Sequence, residues 1–377
     1  MQRNPRFGWV LLGALAALAP STVLGQTNPL PGGTTDNTAF GTTSAEFLLL
    51  GGGARGVGLG PSYAAIATDA SALYYNPAGA ALGTRPSLVV GTYDYVANTR
   101  YSWGGIAFPF GGGSQVFGAQ IGTFGFKDQP VYTVDQPNGT GATYSVNETF
   151  VGLTYGQRFS DRFSAGMTAK GIFDQLGSVS GKAFAVDFGT MFQSNLSNHG
   201  IRMGFTLQNL GSTLTYNGAD LNRAIPRDSS VTSGGEPAPV SLKTKGFSLP
   251  TIFQVSLAYD LLSNNNKQHK VTVIGSFNQA NNNRAGFGFA GEWSAHRLGG
   301  SPFGAALRGS YSWAPANNDG PSSAFKTGLS DEENLQGSAG GGGLFYETGN
   351  FLLGVDYAFK YMGILGPTHF VSFSLGW

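Results

Sequence analysis

No cysteine occurs anywhere in the 377 residues, which removes disulfides, thiolate metal sites, a thiol nucleophile and a lipidated cysteine at the N-terminus. Charge is scarce as well. Asp, Glu, Lys and Arg make up 11% of the chain, against about 25% in an average soluble domain. A surface so poor in charge suits something other than water. The net charge is +1, so there is no clustered positive field of the kind that nucleic-acid backbones require. Past the first residues there is no apolar run of the roughly 20 residues that a membrane-spanning helix needs, so any membrane domain must be a closed sheet. The four histidines, His199, His269, His296 and His369, fall in separate turns and strands without metal-ligand spacing. There is no Walker A sequence and no G-x-S-x-G elbow; Gly51, Gly53 and Gly56 satisfy a dinucleotide glycine pattern, but without the preceding strand or the βαβ unit. No metal, cofactor or catalytic role is therefore expected. The rival from another class, an outer-membrane enzyme, would need a Ser-His or Asp-His pair assembled by the fold.

The sequence is rich in glycine (59 residues) and aromatics (13%). Arg3 and Arg6, an apolar stretch over 9–19 and Val23-Leu24-Gly25 form a signal-peptide pattern, with cleavage expected near Gly25. Residues 26–44 read as a flexible leader rich in Thr, Gly, Asn and Pro. Residues 45–85 differ from what flanks them: small residues, a short helix expected over 63–73, then Tyr74-Tyr75-Asn76-Pro77-Ala78-Gly79.

From Pro86 onward the period becomes two. Phe351, Leu353, Val355, Tyr357, Phe359 and Tyr361 alternate with Gly354, Asp356, Ala358 and Lys360. The pattern recurs over 251–261 and 303–313. About fourteen strands of about ten residues follow, the length of tilted spanning strands, beginning near Leu88, Tyr101, Val116, Asn147, Phe163, Ala183, Ile201, Thr251, Lys270, Ala285, Phe303, Ser338, Phe351 and Thr368. Every second connection is compact (111–114, 160–162, 195–200, 263–269, 297–302, 348–350), whereas the long ones (127–146, 211–250, 314–336) fall on the other side. Outer-membrane barrels have short periplasmic turns and longer outer loops, which places both termini in the periplasm. A soluble β-sandwich also alternates, but its outer face would carry more charge. Tyr259, Trp293, Tyr311, Trp313, Tyr357, Tyr361 and Trp377 suit an interfacial girdle. The expected fold is thus all-β, a transmembrane antiparallel barrel over 86–377 in the Gram-negative outer membrane.

Gly53-Ala54-Arg55-Gly56-Val57-Gly58-Leu59-Gly60 and Ala64-Ala65-Ile66-Ala67-Thr68-Asp69-Ala70-Ser71-Ala72-Leu73-Tyr74-Tyr75-Asn76-Pro77-Ala78-Gly79 closely resemble the N-terminal signature of the PorV/PorQ family, within the wider FadL-like group. Gln208-Asn209-Leu210-Gly211 is in keeping with this. The final strand, with His369, Val371, Phe373, Leu375 and Trp377 in alternation, looks like an outer-membrane assembly signal read by the barrel assembly machinery. The resemblance implies a fourteen-stranded barrel with residues 45–85 folded into the lumen as a hatch. It also implies one of two non-enzymatic roles. One is a component of type IX-like protein secretion or surface attachment, with a translocon and exported cargo as partners; this is the favoured expectation. The alternative is a FadL-like channel for hydrophobic small molecules.

A fourteen-stranded barrel is too wide for its own side chains to fill. Arg55, Asp69, Asn76, Pro77 and Gly79 are the candidate hatch residues, with Asn76 and Pro77 fixing its path. Lys170, Arg202, Asp260, Glu292, Arg308, Asp356 and Lys360 are the candidate inward charges, and Arg55 and Asp69 are expected to pair with some of them.

Overall fold

The computed structural model describes residues 41–196, 199–225, 238–263, 269–313 and 337–377. The expected signal peptide, most of the leader and the segment 314–336 lie outside the described residues.

Alternating sequence gives alternating burial. Fourteen antiparallel strands form one sheet: β1 Ser87–Asp94, β2 Arg100–Phe110, β3 Gln115–Pro130, β4 Thr143–Arg158, β5 Phe163–Leu176, β6 Val179–Leu196, β7 His199–Gly211, β8 Ile252–Ser263, β9 His269–Ala280, β10 Gly286–Ala295, β11 Phe303–Trp313, β12 Ser338–Glu347, β13 Leu352–Tyr361 and β14 Pro367–Gly376. Each pairs with its sequence neighbour, and β1 pairs with β14 (Val90 opposite Phe373), so the sheet closes on itself. Closure leaves no strand edge unpaired in the barrel, the condition for strands in lipid. Apolar side chains point outward: Leu153 and Leu344 are each 70% exposed, and Phe117, Phe289, Leu307 and Phe373 more than half. In water such a surface would be untenable; in a bilayer it is the solvated face.

The strand count and the one-sided distribution of long connections agree with the sequence reading, but three details differ. First, β3 to β6 run to 14–18 residues, so the expected loop 127–146 shrinks to 131–142; the Pro130–Thr143 pair continues the ladder beyond the spanning length. Second, the 211–250 connection contains short strands, Thr215–Gly218 paired with the first residues of β6 (Val179–Lys182), and Asn222–Ile225 paired with Ala238–Ser241. Third, the described chain does not begin at the periplasmic mouth. Ser44 N–H donates to Ser248 O (3.0 Å), and Asn282, in the turn after β9, donates to Thr43 Oγ1 (2.7 Å). Both partners lie at the mouth opposite Trp377.

From there residues 41–85 descend through the lumen and enter β1 at the other end. They form a 3-10 turn Glu46–Leu49, helix α1 Ala54–Leu59, a 3-10 turn Gly60–Ala65, helix α2 Ala72–Tyr75 and helix α3 Pro77–Ala80. The helix expected over 63–73 is split. Asp69 accepts the Ser71 N–H (2.9 Å) in an Asx turn that competes with the helical bond, and the chain restarts as α2.

Candidate functional site: the occupied lumen

The segment is held by its backbone as much as by its side chains, because a chain without long secondary structure leaves its carbonyls and amides to be met by the wall. Inward polar side chains meet them. Gln120 donates to Leu73 O (2.6 Å), Gln208 to Tyr74 O (2.6 Å), Gln254 to Pro61 O, and Ser164 to Ala78 O (3.0 Å); Ser372 Oγ accepts from Ala54 N (3.0 Å). Of these, sequence reading named Gln208, as part of a motif, and Gln254, on the polar face of the 251–261 alternation, without assigning either a partner. Their signal was available: uncharged polar residues at inward positions of strands otherwise lined by Gly, Ala and Ser.

Asn76 is fully buried at the centre. Its Nδ2 donates to Ala64 O (3.1 Å) and to Thr190 O of β6 (3.2 Å), and its Oδ1 accepts the Ala78 N–H (3.1 Å), capping α3. Pro77 follows at the first helical position, where its missing N–H costs nothing, and it keeps Asn76 extended (φ −159°, ψ 101°). The wall makes room for the pair. A Cβ on Gly189 would overlap Asn76 Oδ1, and one on Gly166 would lie 2.6 Å from Pro77. Gly79 is equally constrained, since a Cβ there would overlap the Ala67 carbonyl.

Arg55 makes the charged attachment. Its Nε and Nη2 donate to the two oxygens of Glu292 on β10 (2.9 and 2.7 Å), a bidentate pair. Glu292 also accepts from Arg308 Nε (3.2 Å), and Arg308 Nη1 reaches Asp356 Oδ1 (2.5 Å). One hatch arginine thereby joins three strands. Asp69 turns back to Ser71 and lies 4.0 Å from Arg55 instead of meeting a wall charge; the Asx turn explains the departure.

The other inward charges lie elsewhere. Lys170 (2% exposed) pairs with Asp187 (0%) at 2.7 Å and donates to Asn209 Oδ1 (2.8 Å), beside the β6–β7 bulge where Asn209 takes a left-handed φ of 58°. Arg202 and Lys270 share Asp260 near the periplasmic end. Lys360 has no ion-pair partner among the described residues. Each histidine stacks on a ring: His199 on Tyr259, His269 on Trp293, His296 on Phe345 and His369 on Tyr357. Phe373 and Trp377 face outward, toward lipid.

Two environments result. The periplasmic side holds two cavities, a mixed one of about 390 Å³ where Arg55, Asp69, Glu292 and Asp356 face Leu82, Leu88, Phe345 and Leu352, and a polar one of about 430 Å³ at Arg162, Arg202 and Asp260. The outer half is filled: Phe47, Leu48, Phe150, Ile172, Leu214 and Leu249 belong to the buried apolar cluster, and Asp174, two residues from Ile172, is buried among them and accepts from the Tyr216 hydroxyl (2.9 Å).

No family model matches this sequence, and no curated protein matches it significantly. Solved structures do. Similar folds include the TodX deltaS2S3 mutant monoaromatic hydrocarbon channel (10% identity, 86% of this chain and 98% of that one, TM-score 0.51) and the CymD monoaromatic hydrocarbon channel (11%, 87% and 97%, 0.50). The Ralstonia pickettii toluene transporter TbuX aligns over 85% of this chain and 97% of its own at 11% identity, with a TM-score of 0.48. At such identity the likeness concerns the fold, which is shared along nearly the whole of those channels. The chain is a β-barrel of the Gram-negative outer membrane.

Proposed function

We propose that the protein is a non-enzymatic channel for uptake of small hydrophobic molecules, with residues 45–85 as its gate and residues 1–25 as a cleaved export signal. The observation that carries this is the divided lumen. A largely apolar, aromatic-lined outer half receives a greasy solute, and the bore beneath it is filled by a segment attached through replaceable hydrogen bonds and one ion-pair network. The barrels of similar fold, described as monoaromatic hydrocarbon channels, support this reading over the secretion role that the PorV/PorQ-like motif favoured. Arg55, Asn76, Pro77 and Gly79 would then be gate residues, and Phe373, Leu375 and Trp377 the signal for barrel assembly.

Deletion of the gene separates the two roles. Uptake of an apolar solute such as toluene should fall, while the complement of surface-displayed proteins stays unchanged. Loss of surface proteins with normal solute uptake would reverse the assignment and restore the secretion reading.

A further inference from the structure

One stretch of the outward face departs from the rest. Elsewhere the strands present large apolar side chains to the bilayer, among them Leu153, Phe289 and Leu344, but across β14, β1, β2 and β3 the wall is dented by a groove of about 330 Å³. The pairing registers give its shape. Phe373, Val90, Gly104 and Ile121 form one transverse row, in which the missing side chain of Gly104 leaves the gap. One step nearer the outer surface stand Thr92, Ser102 and Thr123, three hydroxyls side by side on a face turned to lipid. A further step brings Arg100 opposite Asp94, at the outer ends of β1 and β2. The dent does not breach the wall, because the β2–β3 ladder runs without a register shift from Arg100–Gly125 to Phe110–Gln115.

Each level of the groove lacks something that a bound lipid supplies. Packing within the protein does not require the gap: a Cβ on Gly104 would meet only Val90 Cγ1, at an ordinary 3.4 Å, and Val89 O at 3.9 Å. A hydroxyl in hydrocarbon is costly unless hydrogen-bonded. Thr92 donates to Tyr101 O (3.1 Å) and lies 2.9 Å from Ser102 Oγ, whereas the Thr123 hydroxyl has no hydrogen bond among the described residues. Arg100 gives only its Nε to Asp94 (2.8 Å), and both side chains are exposed, so the other two guanidinium nitrogens are open to a phosphate. We infer that the groove is a binding site for a phosphorylated glycolipid of the outer leaflet, lipid A in chemistry. Its phosphate meets Arg100, the ester or amide that links an acyl chain meets the hydroxyls of Ser102 and Thr123, and the chain lies over Gly104. The outer leaflet is the source because the charged end of the groove is at the outer end of the strands. Lying on the outside of the barrel, the site stands whether or not the lumen conducts.

Native mass spectrometry of the full-length protein in detergent tests this, with diphosphorylated lipid A as probe and heat-modifiable gel mobility as the check on folding. The wild type should retain the probe. Arg100→Gln should weaken retention about fivefold or more, the loss of one basic contact to an anionic headgroup, and Gly104→Leu, which fills the dent, should weaken it at least as much. Gly275 is the control: it faces outward on β9 with open space around an added Cβ, and Gly275→Leu should bind as the wild type does. Dephosphorylated lipid A should bind the wild type no better than the probe binds Arg100→Gln. Equal retention by the wild type, Arg100→Gln and Gly104→Leu, or an equal loss in Gly275→Leu, would overturn the site. Preferential retention of phosphatidylglycerol by the wild type would overturn its assignment to a glycolipid.

Discussion

Asn76 and Glu292 hold the segment by different physics, and their variants should fail differently. Asn76→Ala leaves the Ala64 carbonyl without its side-chain donor, removes the tie to the β6 wall at Thr190 and uncaps α3, at about 1–3 kcal/mol for an unsatisfied buried group. Local loosening around α3 is the expected outcome, seen as brief open events in planar-bilayer recordings with the barrel's heat-modifiable gel mobility preserved. Glu292→Gln keeps the shape but leaves Arg55 with only the more distant Asp69 (4.0 Å) and Arg308 with Asp356 alone. Breaking such a buried pair costs about 3–5 kcal/mol, and the larger conductance increase should come from this variant. Equal, wild-type conductance in both would show that neither contact secures the segment. Gly189→Val addresses the wall: its side chain would collide with Asn76 and Pro77, so it should mimic or exceed Asn76→Ala although it alters no hydrogen-bonding group.

At the level of elements, deletion of residues 45–83 should raise single-channel conductance sharply in a barrel still shown to be folded, since contacts from this segment occupy the bore. Unaltered conductance would place the obstruction elsewhere. Strands were more legible than the segment they enclose. Alternation marks a strand whether its inward face meets water or protein, so the start of each strand falls within four residues of its position in the sequence pattern. The path of 45–85 depends on partners tens to hundreds of residues away, such as Gln208 for Tyr74 and Ser372 for Ala54. Local periodicity has no access to those. The motif around Asn76 and Pro77 did mark the most buried stretch, and Arg55 met one of the inward charges anticipated for it; Asp187, the partner of Lys170, went unnoticed because the two lie on different strands 17 positions apart.

Across the whole molecule, the two described ends of the chain lie at opposite mouths. A Gly41→Cys variant should react on whole cells with an impermeant maleimide, whereas a cysteine at the exposed periplasmic turn residue Gly299 should not. The reverse pattern would invert the orientation, and labelling of neither would put Gly41 out of reach. Tags at Gly234 and Gly320, outside the described residues, should label from outside if the long connections face the medium. Helical turns of residues 54–80 touch every strand from β3 to β14, and Leu50 and Tyr74 meet Tyr93 of β1 and Trp103 of β2. That feature bears on biogenesis. A segment in contact with all fourteen staves completes those contacts only when the staves surround it, so its seating and the shutting of the β1–β14 seam are coupled, and a variant that weakens it should slow closure of the seam as well as loosen the finished barrel.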